Sequence, residues 1–304
     1  EDNGPGIVKA QIPRIFAKLL YGSKFHRLKM SRGQQGIGIS AAAMYGQLTT
    51  GKGIEIVSKI SPKDPAHFYE LQLDTHKNEP RIIQEGVITW DKEHGTKIEI
   101  EMESSYGKGR SSVDEFVRQT SLANPHASFY YVTPLGERMD FLRVINEMPK
   151  EPKEIKPHPH GIEIGMLMKM LHATSHGTIS TFLQEEFSRV SQAVAQEICE
   201  KAGVSPRVRP ATIAKQEIEN LYNAIQQVKI IAPPTDCLSP IGEENLIKGL
   251  QKEVVADFYC ATTRSPTVYR GNPFQVEVGL AFGGEQSKED LIKVMRFANR
   301  VPLL

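Results

Sequence analysis

Two glycine-rich segments near the start of the sequence have residue types suited to binding a nucleotide. The first reads EDNGPGI and contains Asp2, Gly4 and Gly6, and the second reads GQQGIG over residues 33–38. Glycine lets backbone amides approach an anion without a Cβ clash. A helix that begins after such a loop adds aligned N–H donors and a partial positive charge. The second segment therefore predicts a phosphate-binding loop over Gly33–Ser40.

The acidic residue of the first segment predicts recognition of a purine base. A carboxylate accepts hydrogen bonds and cannot donate them. Asp2 would favour adenine, whose exocyclic amine donates, over guanine, whose O6 accepts. Gly4 and Gly6 would let the backbone pass close to the base.

Each segment taken alone has an ordinary structural interpretation. Asp2 fits a simple turn, and residues 33–38 fit a surface loop. The second segment is not a Walker A box, because GxxxxGK[ST] is absent, and its G-x-x-G-x-G order is the reverse of a Rossmann turn. Gly95-Thr96, which opens a strand-like segment, also fits a hairpin corner. The order of the two segments and the basic stretch between them favour the nucleotide-binding interpretation over the ordinary one.

The elements that would position these loops are predicted from hydrophobic periodicity. Residues 8–22 predict a helix with Pro13 in its first turn and Gly22 at its end, and residues 39–48 predict a helix of small residues. The segments that follow have β character, and short links between them indicate antiparallel neighbours. The predicted strands are 54–60, 68–73, 82–90, 97–103, 129–132 and 139–144, with a helix over 113–122. The first 150 residues therefore predict an α+β layer.

Composition changes after this layer. Residues 148–160 read MPKEPKEIKPHPH, and four prolines among charges indicate an extended linker. Residues 161–231 predict a small all-helical domain, in which one helix runs on through 182–198 and ends at Gly203. From residue 232 the pattern predicts a helix over 246–254, a buried strand over 274–282, and a helix or strand over 288–298. Three domains are predicted: 1–150, 151–231 and 232–304.

Bulk properties fit a protein with buried cores and no membrane span. The 304 residues carry a net charge of +1 and are 39% hydrophobic. No stretch reaches the roughly 18 apolar residues of a spanning helix, and no signal peptide is present. The three cysteines form no CxxC pair, which favours buried free thiols in a reducing cytoplasm. The first residue is Glu1, so we expect that the true start and end of the chain lie outside this sequence.

Further motifs make the sequence resemble the B subunits of topoisomerase VI, the archaeal type IIB DNA topoisomerases, over essentially the whole chain. The two glycine segments resemble those of the Bergerat-type ATP-binding fold found in GHKL ATPases. Six other segments carry the family resemblance more specifically: Tyr21–Phe25, Lys156–Gly161, Asp236–Gly242, Gly271–Glu277, Gly279–Gly284 and Arg296–Leu304.

The resemblance implies a fold and a set of ligand residues. It implies a Bergerat-type ATPase α/β sandwich over 1–150, a linker and helix-two-turns-helix domain over 151–231, and a partial α/β transducer domain over 232–304. It implies that Asp2 contacts adenine, that Ser23 and Lys24 cover the nucleotide, and that Thr96 supports the base side. The implied phosphate-binding residues are Gly33, Gln34, Gln35, Gly36, Ile37, Gly38, Ile39 and Ser40.

The resemblance also implies an activity, cofactors and partners. ATP with Mg²⁺ would drive self-association of two B subunits, and hydrolysis would drive passage of one double-stranded DNA through another. Cleavage would belong to the A subunit of an A2B2 heterotetramer. In this family the acidic general base and a Mg²⁺-binding asparagine precede DNGPGI, and a lysine that reaches the γ-phosphate would lie beyond Leu304. No catalytic residue is therefore assigned within the 304 residues.

Other interpretations stay open at this point. Another GHKL ATPase, related to mismatch repair or kinases, would keep the fold, and a DNA-binding scaffold would keep a vestigial nucleotide loop. His158 and His160, or His172 and His176, do not predict a metal site, since no further ligands accompany them. The turn over 205–215 carries three cations and fits either a DNA phosphate contact or a solvated loop.

Overall fold

A four-stranded antiparallel sheet and two helices form the first of the two units into which the chain divides. The structure, a computed structural model, describes residues 1–22, 27–33, 35–285 and 291–303. The first unit contains residues 1–26 and 31–107, and the second contains 27–30 and 108–304. Each unit mixes helices and strands, which confirms a mixed α/β chain. The three predicted domain boundaries stay predictions.

The sheet of the first unit confirms four predicted strands. They are β1 (Ile54–Lys59), β2 (Ala66–Asp74), β3 (Glu79–Ile88) and β4 (Gly95–Glu99). Their order is β3-β2-β1-β4, and every pairing is antiparallel. The short links between strands explain this pattern, because antiparallel neighbours can be joined by tight turns. β4 ends at Glu99 and is shorter than the predicted strand.

Two helices cover one face of this sheet. They are α1 (Ile12–Ala17) and α2 (Gly38–Thr50), and their apolar side chains pack on alternate residues of β1 and β2. Pro13 lies in the first turn of α1, as predicted, where its missing N–H leaves no helical bond unmade. The buried core of the unit consists of Ile12, Phe16, Ala17, Ala43, Ile54, Ile56, Tyr69 and Leu71.

The predicted helix over residues 8–22 is wrong in its extent. A 3-10 turn spans Lys9–Gln11, and α1 ends at Ala17 rather than at Gly22. Leu20 adopts a left-handed backbone with φ 61° and is 61% exposed. The apolar spacing of the sequence continues through Leu20, which is why the helix was predicted too long. In the structure the backbone of Leu19 is bound by Asn78 instead of by the helix.

Helices α3 to α8 belong to the second unit. Their bounds are α3 (Val113–Ala123), α4 (Ile164–Ala173), α5 (Ile179–Glu186), α6 (Gln192–Ala202), α7 (Lys215–Gln227) and α8 (Glu243–Glu253). The predicted helical region over 161–231 is confirmed, and one core of buried side chains from Ile162 to Val228 holds α4 to α7 together. The predicted continuous helix through residues 182–198 is wrong, since α5 ends at Glu186 and α6 begins at Gln192, with Arg189 between them at φ 63°. Gly203 ends α6 in a left-handed cap, as predicted.

The strands of the second unit form two-stranded pairs. They are β5 (Phe129–Val132) with β6 (Arg138–Phe141), β7 (Phe258–Thr263) with β10 (Glu277–Phe282), β8 (Thr267–Tyr269) with β9 (Asn272–Phe274), and β11 (Phe297–Ala298) with β12 (Val301–Pro302). The predicted buried strand over 274–282 is confirmed as a strand in β10 but is wrong in its continuity and in its burial. It consists of two short strands, and the side chains of Val278, Leu280 and Phe282 are exposed. The predicted element over 288–298 shows only the two residues of β11 among its described positions, 291–298.

A carboxylate joins β10 to the N-terminus of α8. Glu277 accepts hydrogen bonds from the backbone N–H groups of Ile241 and Gly242, at 2.8 Å and 2.7 Å, and from the hydroxyl of Thr263. An acidic group is favoured at a helix N-terminus, where backbone donors lack partners. Glu277 therefore has a structural role within the GNPFQVE segment.

The three cysteines are free thiols that differ in burial. Cys199 and Cys237 are buried, as expected, but Cys260 is exposed. Burial, and more weakly Glu200, raises the pKa of Cys199 to about 11, which leaves that thiol unreactive. None of the helices in the described ranges has the length and apolar character needed to cross a membrane.

Candidate functional site

Asp2 and Thr96 lie side by side in the first unit. The Asp2 N–H donates to the Thr96 carbonyl at 2.8 Å, and the Thr96 N–H donates back at 3.3 Å, which makes an isolated antiparallel bridge. Gly95 lies against this bridge with φ 140°, and a Cβ there would lie 2.0 Å from the Asp2 carbonyl oxygen. Only glycine fits this close approach. The first predicted segment is thus attached directly to the start of β4.

The carboxylate of Asp2 is oriented by its own turn. Its Oδ1 accepts a hydrogen bond from the Gly4 N–H at 2.8 Å. His94 fixes the same turn, because its Nδ1 donates to the Gly4 carbonyl at 2.7 Å. Asp2 is exposed, and its other oxygen has no hydrogen-bond partner among the described residues. One acceptor of the carboxylate therefore faces solvent in a fixed orientation.

Ser58 of β1 is a buried hydrogen-bond centre beneath this turn. Its Oγ accepts from the Ile7 N–H at 2.8 Å and donates to the Gly95 carbonyl at 3.1 Å. The single hydroxyl proton is then used, so Thr96 Oγ1, which lies 3.1 Å from Ser58 Oγ, must be the donor between the two hydroxyls. Ser58 holds both sides of the Asp2–Thr96 bridge.

The second predicted segment leads into α2. Ile37 is the residue before the helix, and no side chain caps its first N–H groups. The hydroxyl of Ser40 donates to the carbonyls of Gly36 and Ile37 at 3.1 Å and 3.2 Å, and the residue is fully buried. Because Ser40 is fully buried, neither its hydroxyl nor its backbone N–H is open to a ligand, so Ser40 supports the first turn of α2 from inside, and its predicted phosphate contact is not supported. The open end of α2 presents the amides of Gly38 and Ile39 to an anion.

The glycines of this segment differ in their surroundings. Gly36 has φ 65°, and a Cβ there would lie 2.4 Å from the Tyr21 carbonyl oxygen. Gly33 has φ 62° in open space. Gly38 is helical, and a Cβ there would meet no heavy atom within 4 Å. Gly36 is required by the fold, whereas the space beside Gly38 is unfilled.

One hydrophobic core supports both predicted segments. Ile7 follows the first segment and Ile39 belongs to the second, and both pack against the buried core of the first unit. Gly6 is held near β1, since a Cβ there would lie 2.1 Å from the Lys59 carbonyl oxygen. Gln35 is exposed beside Gly36. Ser23, Lys24 and Gln34 lie outside the described residues, so their predicted contacts are not placed.

Three of the residues that build this region were not predicted from the sequence. Ser58 and His94 hold the first segment, and Asn78 contacts Leu19, which lies between the two segments in the sequence. Their partners are 51, 90 and 59 residues away in the sequence. No local motif signals such contacts.

The two histidines of the proline-rich linker contact the end of helix α7 and the chain that follows it: His160 caps α7, and His158 binds the segment beyond it. His158 Nε2 donates to the Ile231 carbonyl at 3.1 Å, and its Nδ1 accepts from the His160 N–H at 3.3 Å. His160 Nε2 lies 3.1 Å from the carbonyls of Ile225 and Val228. Carbonyls at a helix C-terminus need such donors. In the described part of the chain, no three His, Cys, Asp or Glu side chains group as metal ligands would.

We expect the second unit to lose stability as the pH falls below about 6.5, the ordinary histidine pKa. Burial, and more weakly His160, lowers the pKa of His158, although its bond to the Ile231 carbonyl raises it. The unfolded chain therefore takes up a proton first, and the free energy of unfolding falls until the folded pKa is reached. Urea unfolding of wild type and His158→Gln at pH 7.5 and 5.5 measures this. The wild type should lose more stability than the variant.

The exposed His172 provides the control for this measurement. His172→Gln should keep the pH dependence of the wild type. An equal pH dependence in wild type and His158→Gln would contradict the assignment to His158.

The basic turn over residues 205–215 has a structural use. The carbonyls of Pro206 and Val208 accept hydrogen bonds from the N–H groups of Ser180 and Ile179, at the start of α5. The side chains of Arg207 and Arg209 are exposed. Both interpretations of this turn, a DNA phosphate contact and a solvated loop, fit this geometry.

Comparison with known proteins identifies the relatives of the chain. Residues 233–304 match the family described as topoisomerase VI B subunit, transducer. The B subunit of type 2 DNA topoisomerase 6 from Methanococcoides burtonii is 54% identical over 305 residues, which cover 100% of this chain and 49% of the relative. The protein of the same name from Archaeoglobus fulgidus is 50% identical over 100% of this chain and 50% of its own length. That from Pyrococcus horikoshii is 36% identical, over 100% of this chain and 62% of its own length. The chain thus spans about half the length of the first two relatives.

Proposed function

The whole chain is related to the B subunits of type 2 DNA topoisomerase 6, and from this premise we propose that it is the ATP-binding part of such a protein. Residues 1–150 are proposed to form a Bergerat-type ATPase domain, 151–231 a helix-two-turns-helix domain, and 232–304 part of the transducer. Residues 233–304 match the transducer family, which supports the last assignment.

One observation carries the proposal of ATP binding. A carboxylate with one fixed, solvent-facing acceptor and a helix with uncapped N-terminal amides are built on the same core of the first unit. The carboxylate of Asp2 suits the exocyclic amine of adenine. The amides of Gly38 and Ile39 suit phosphate oxygens, whereas the buried Ser40 supports the helix from inside. Thr96 supports the base side through its bridge to Asp2 and its bond to Ser58.

The residues present fit the nucleotide better than a separately bound metal. The unfilled space beside Gly38 leaves room for an anion to approach the backbone. Among the described residues no acidic or histidine cluster could hold Mg²⁺ by itself. We therefore propose that Mg²⁺ arrives with ATP. The chemical role of this chain's residues is to hold the base and the phosphates, and no hydrolytic step is assigned to them.

The partners follow from the same premise. We propose that two B subunits associate when ATP binds, that a DNA-cleaving A subunit completes an A2B2 heterotetramer, and that hydrolysis drives passage of double-stranded DNA to relax and decatenate it. The names of the relatives, each the B subunit of a type 2 DNA topoisomerase, support this proposal. The cytoplasm, which contains DNA and ATP, is the proposed compartment.

Nucleotide-dependent association tests the proposed function. In sedimentation experiments on the intact protein, a non-hydrolysable ATP analogue with Mg²⁺ should convert monomers to dimers, and the matching GTP analogue should not. Salt-dependent DNA binding without any effect of ATP on association would contradict the proposal. That result would favour a DNA-binding scaffold with a vestigial nucleotide loop.

A further inference from the structure

The turn between β2 and β3 presents an amide side chain to a distant backbone segment. Asp74 shapes the turn, because its Oδ1 accepts from the N–H groups of His76 and Lys77 at 3.0 Å. Asn78 follows with a left-handed backbone, φ 52°. Asparagine tolerates this conformation better than most residues. The turn is thus built to hold the Asn78 side chain in one orientation.

Asn78 binds both backbone groups of Leu19. Its Oδ1 accepts from the Leu19 N–H at 2.8 Å, and its Nδ2 donates to the Leu19 carbonyl at 3.0 Å. This pairing copies the way in which two peptide groups meet in a β-ladder. Lys18 and Glu79 form an ion pair beside it, at 2.5 Å, but water reaches both side chains, so the pair adds little.

The hydrogen bonds continue from Leu19 to the start of α2. Leu20 has φ 61°, a strained conformation for an apolar residue. Its N–H donates to the Gly36 carbonyl at 3.1 Å, and the same carbonyl accepts from Ser40 Oγ at 3.1 Å. Gly36 also packs against the Tyr21 backbone so closely that no Cβ fits. The position of Leu19 therefore sets the position of Gly36, and Gly36 sets the first turn of α2.

We propose that Asn78 is a positioning residue for phosphate binding: it fixes Leu19, and through Leu20 and Gly36 it orients the uncapped amides of α2. The inference rests on the proposed function, since those amides are the proposed phosphate site. Asn78 does not touch the nucleotide. It holds a strained backbone segment that fixes Gly36, and Gly36 precedes the exposed start of α2 with the amides of Gly38 and Ile39.

Replacing Asn78 by glycine removes the amide without adding backbone strain, because glycine accepts φ 52° freely. The affinities for ATP and for adenosine are measured by competition against a fluorescent ATP analogue. We expect Asn78→Gly to bind ATP about tenfold more weakly, equivalent to the loss of one or two good hydrogen bonds. Adenosine binding should not change, since adenosine has no phosphate. Exchange of the Leu20 amide hydrogen should become faster.

Two further variants sharpen the test. Asn78→Asp keeps an oxygen for the Leu19 N–H but turns a second acceptor toward the Leu19 carbonyl, so it should bind ATP at least as weakly as Asn78→Gly. Thr75→Ala changes an exposed residue of the same turn and should leave ATP affinity and Leu20 exchange unchanged.

The outcomes separate this inference from the proposed function. Unchanged ATP affinity in Asn78→Gly, or an equal loss of ATP and adenosine binding, would overturn the positioning role. A wild-type protein that bound neither ligand would refute the proposed function instead. Hydrogen exchange would then decide whether Asn78 fixes the start of α2. Faster exchange at Leu20 and over residues 36–40 in Asn78→Gly supports this role of Asn78, and unchanged exchange overturns it.

Discussion

Asp2→Asn is expected to weaken ATP binding about 100-fold while the fold stays intact. The variant keeps an oxygen that can accept from the Gly4 N–H, so the turn should persist. The second carboxylate oxygen becomes an NH2 group, which meets the donating amine of adenine with another donor. Losing a hydrogen bond to a charged group costs about 1.5–3 kcal/mol, and 100-fold in affinity is about 2.7 kcal/mol.

The same substitution should alter base selectivity. An amide can donate to the O6 of guanine, so Asp2→Asn should narrow the preference for ATP over GTP. Calorimetric titration of both nucleotides measures this, with Asp91→Asn as a control, because Asp91 is an exposed residue of the same unit. ATP affinity in Asp2→Asn equal to that of the control would remove the assignment of the base site.

Gly36→Ala is expected to destabilise the first unit, whereas Gly38→Ala is expected to weaken ATP binding without loss of stability. At Gly36 a Cβ would lie 2.4 Å from the Tyr21 carbonyl oxygen, in a left-handed backbone. Strain of about 1–2 kcal/mol and the clash itself should together destabilise the first unit by about 3 kcal/mol. At Gly38 a Cβ meets nothing within 4 Å, and alanine should stabilise α2 by about 0.5–1 kcal/mol.

Nucleotide binding gives the second half of this prediction. Gly38→Ala should weaken ATP binding at least tenfold in spite of its unchanged or higher stability, since its methyl group would occupy the space proposed for phosphate. Thermal unfolding and ATP titration measure the two effects separately. Gly51→Ala is the matched control for strain, because Gly51 also has a positive φ, stands in open space and lies outside the proposed site. Full ATP affinity in Gly38→Ala would contradict the phosphate site.

Local patterns predicted the strands of the first unit and failed where distant contacts decide the structure. Alternating side chains located β1 to β4. The helix over 8–22 was predicted too long because Leu19 and Leu20 continue its apolar spacing. In the structure Asn78, 59 residues away, holds Leu19 in a turn beyond the end of α1 instead. Periodicity carries no information about such a partner.

The burial of side chains was the other property that was predicted wrongly from the sequence. Residues 274–282 have the apolar composition of a buried strand, yet Phe282 is 71% exposed and β10 pairs only with β7 within the described residues. Composition indicates which residues suit a core and not which surface covers them. The candidate site shows the same division: glycine spacing located the two segments, whereas Ser58 and His94, which orient the first of them, required the three-dimensional structure.

Amide hydrogen exchange with and without ATP and Mg²⁺ tests the central claim most directly. If one nucleotide spans both segments, ATP should slow exchange at Gly38 and Ile39 and at Gly4 together, with the same dependence on ATP concentration. Adenosine should protect only the segment around Gly4. Protection of one segment without the other at saturating ATP, or of neither, would contradict a single site made from both.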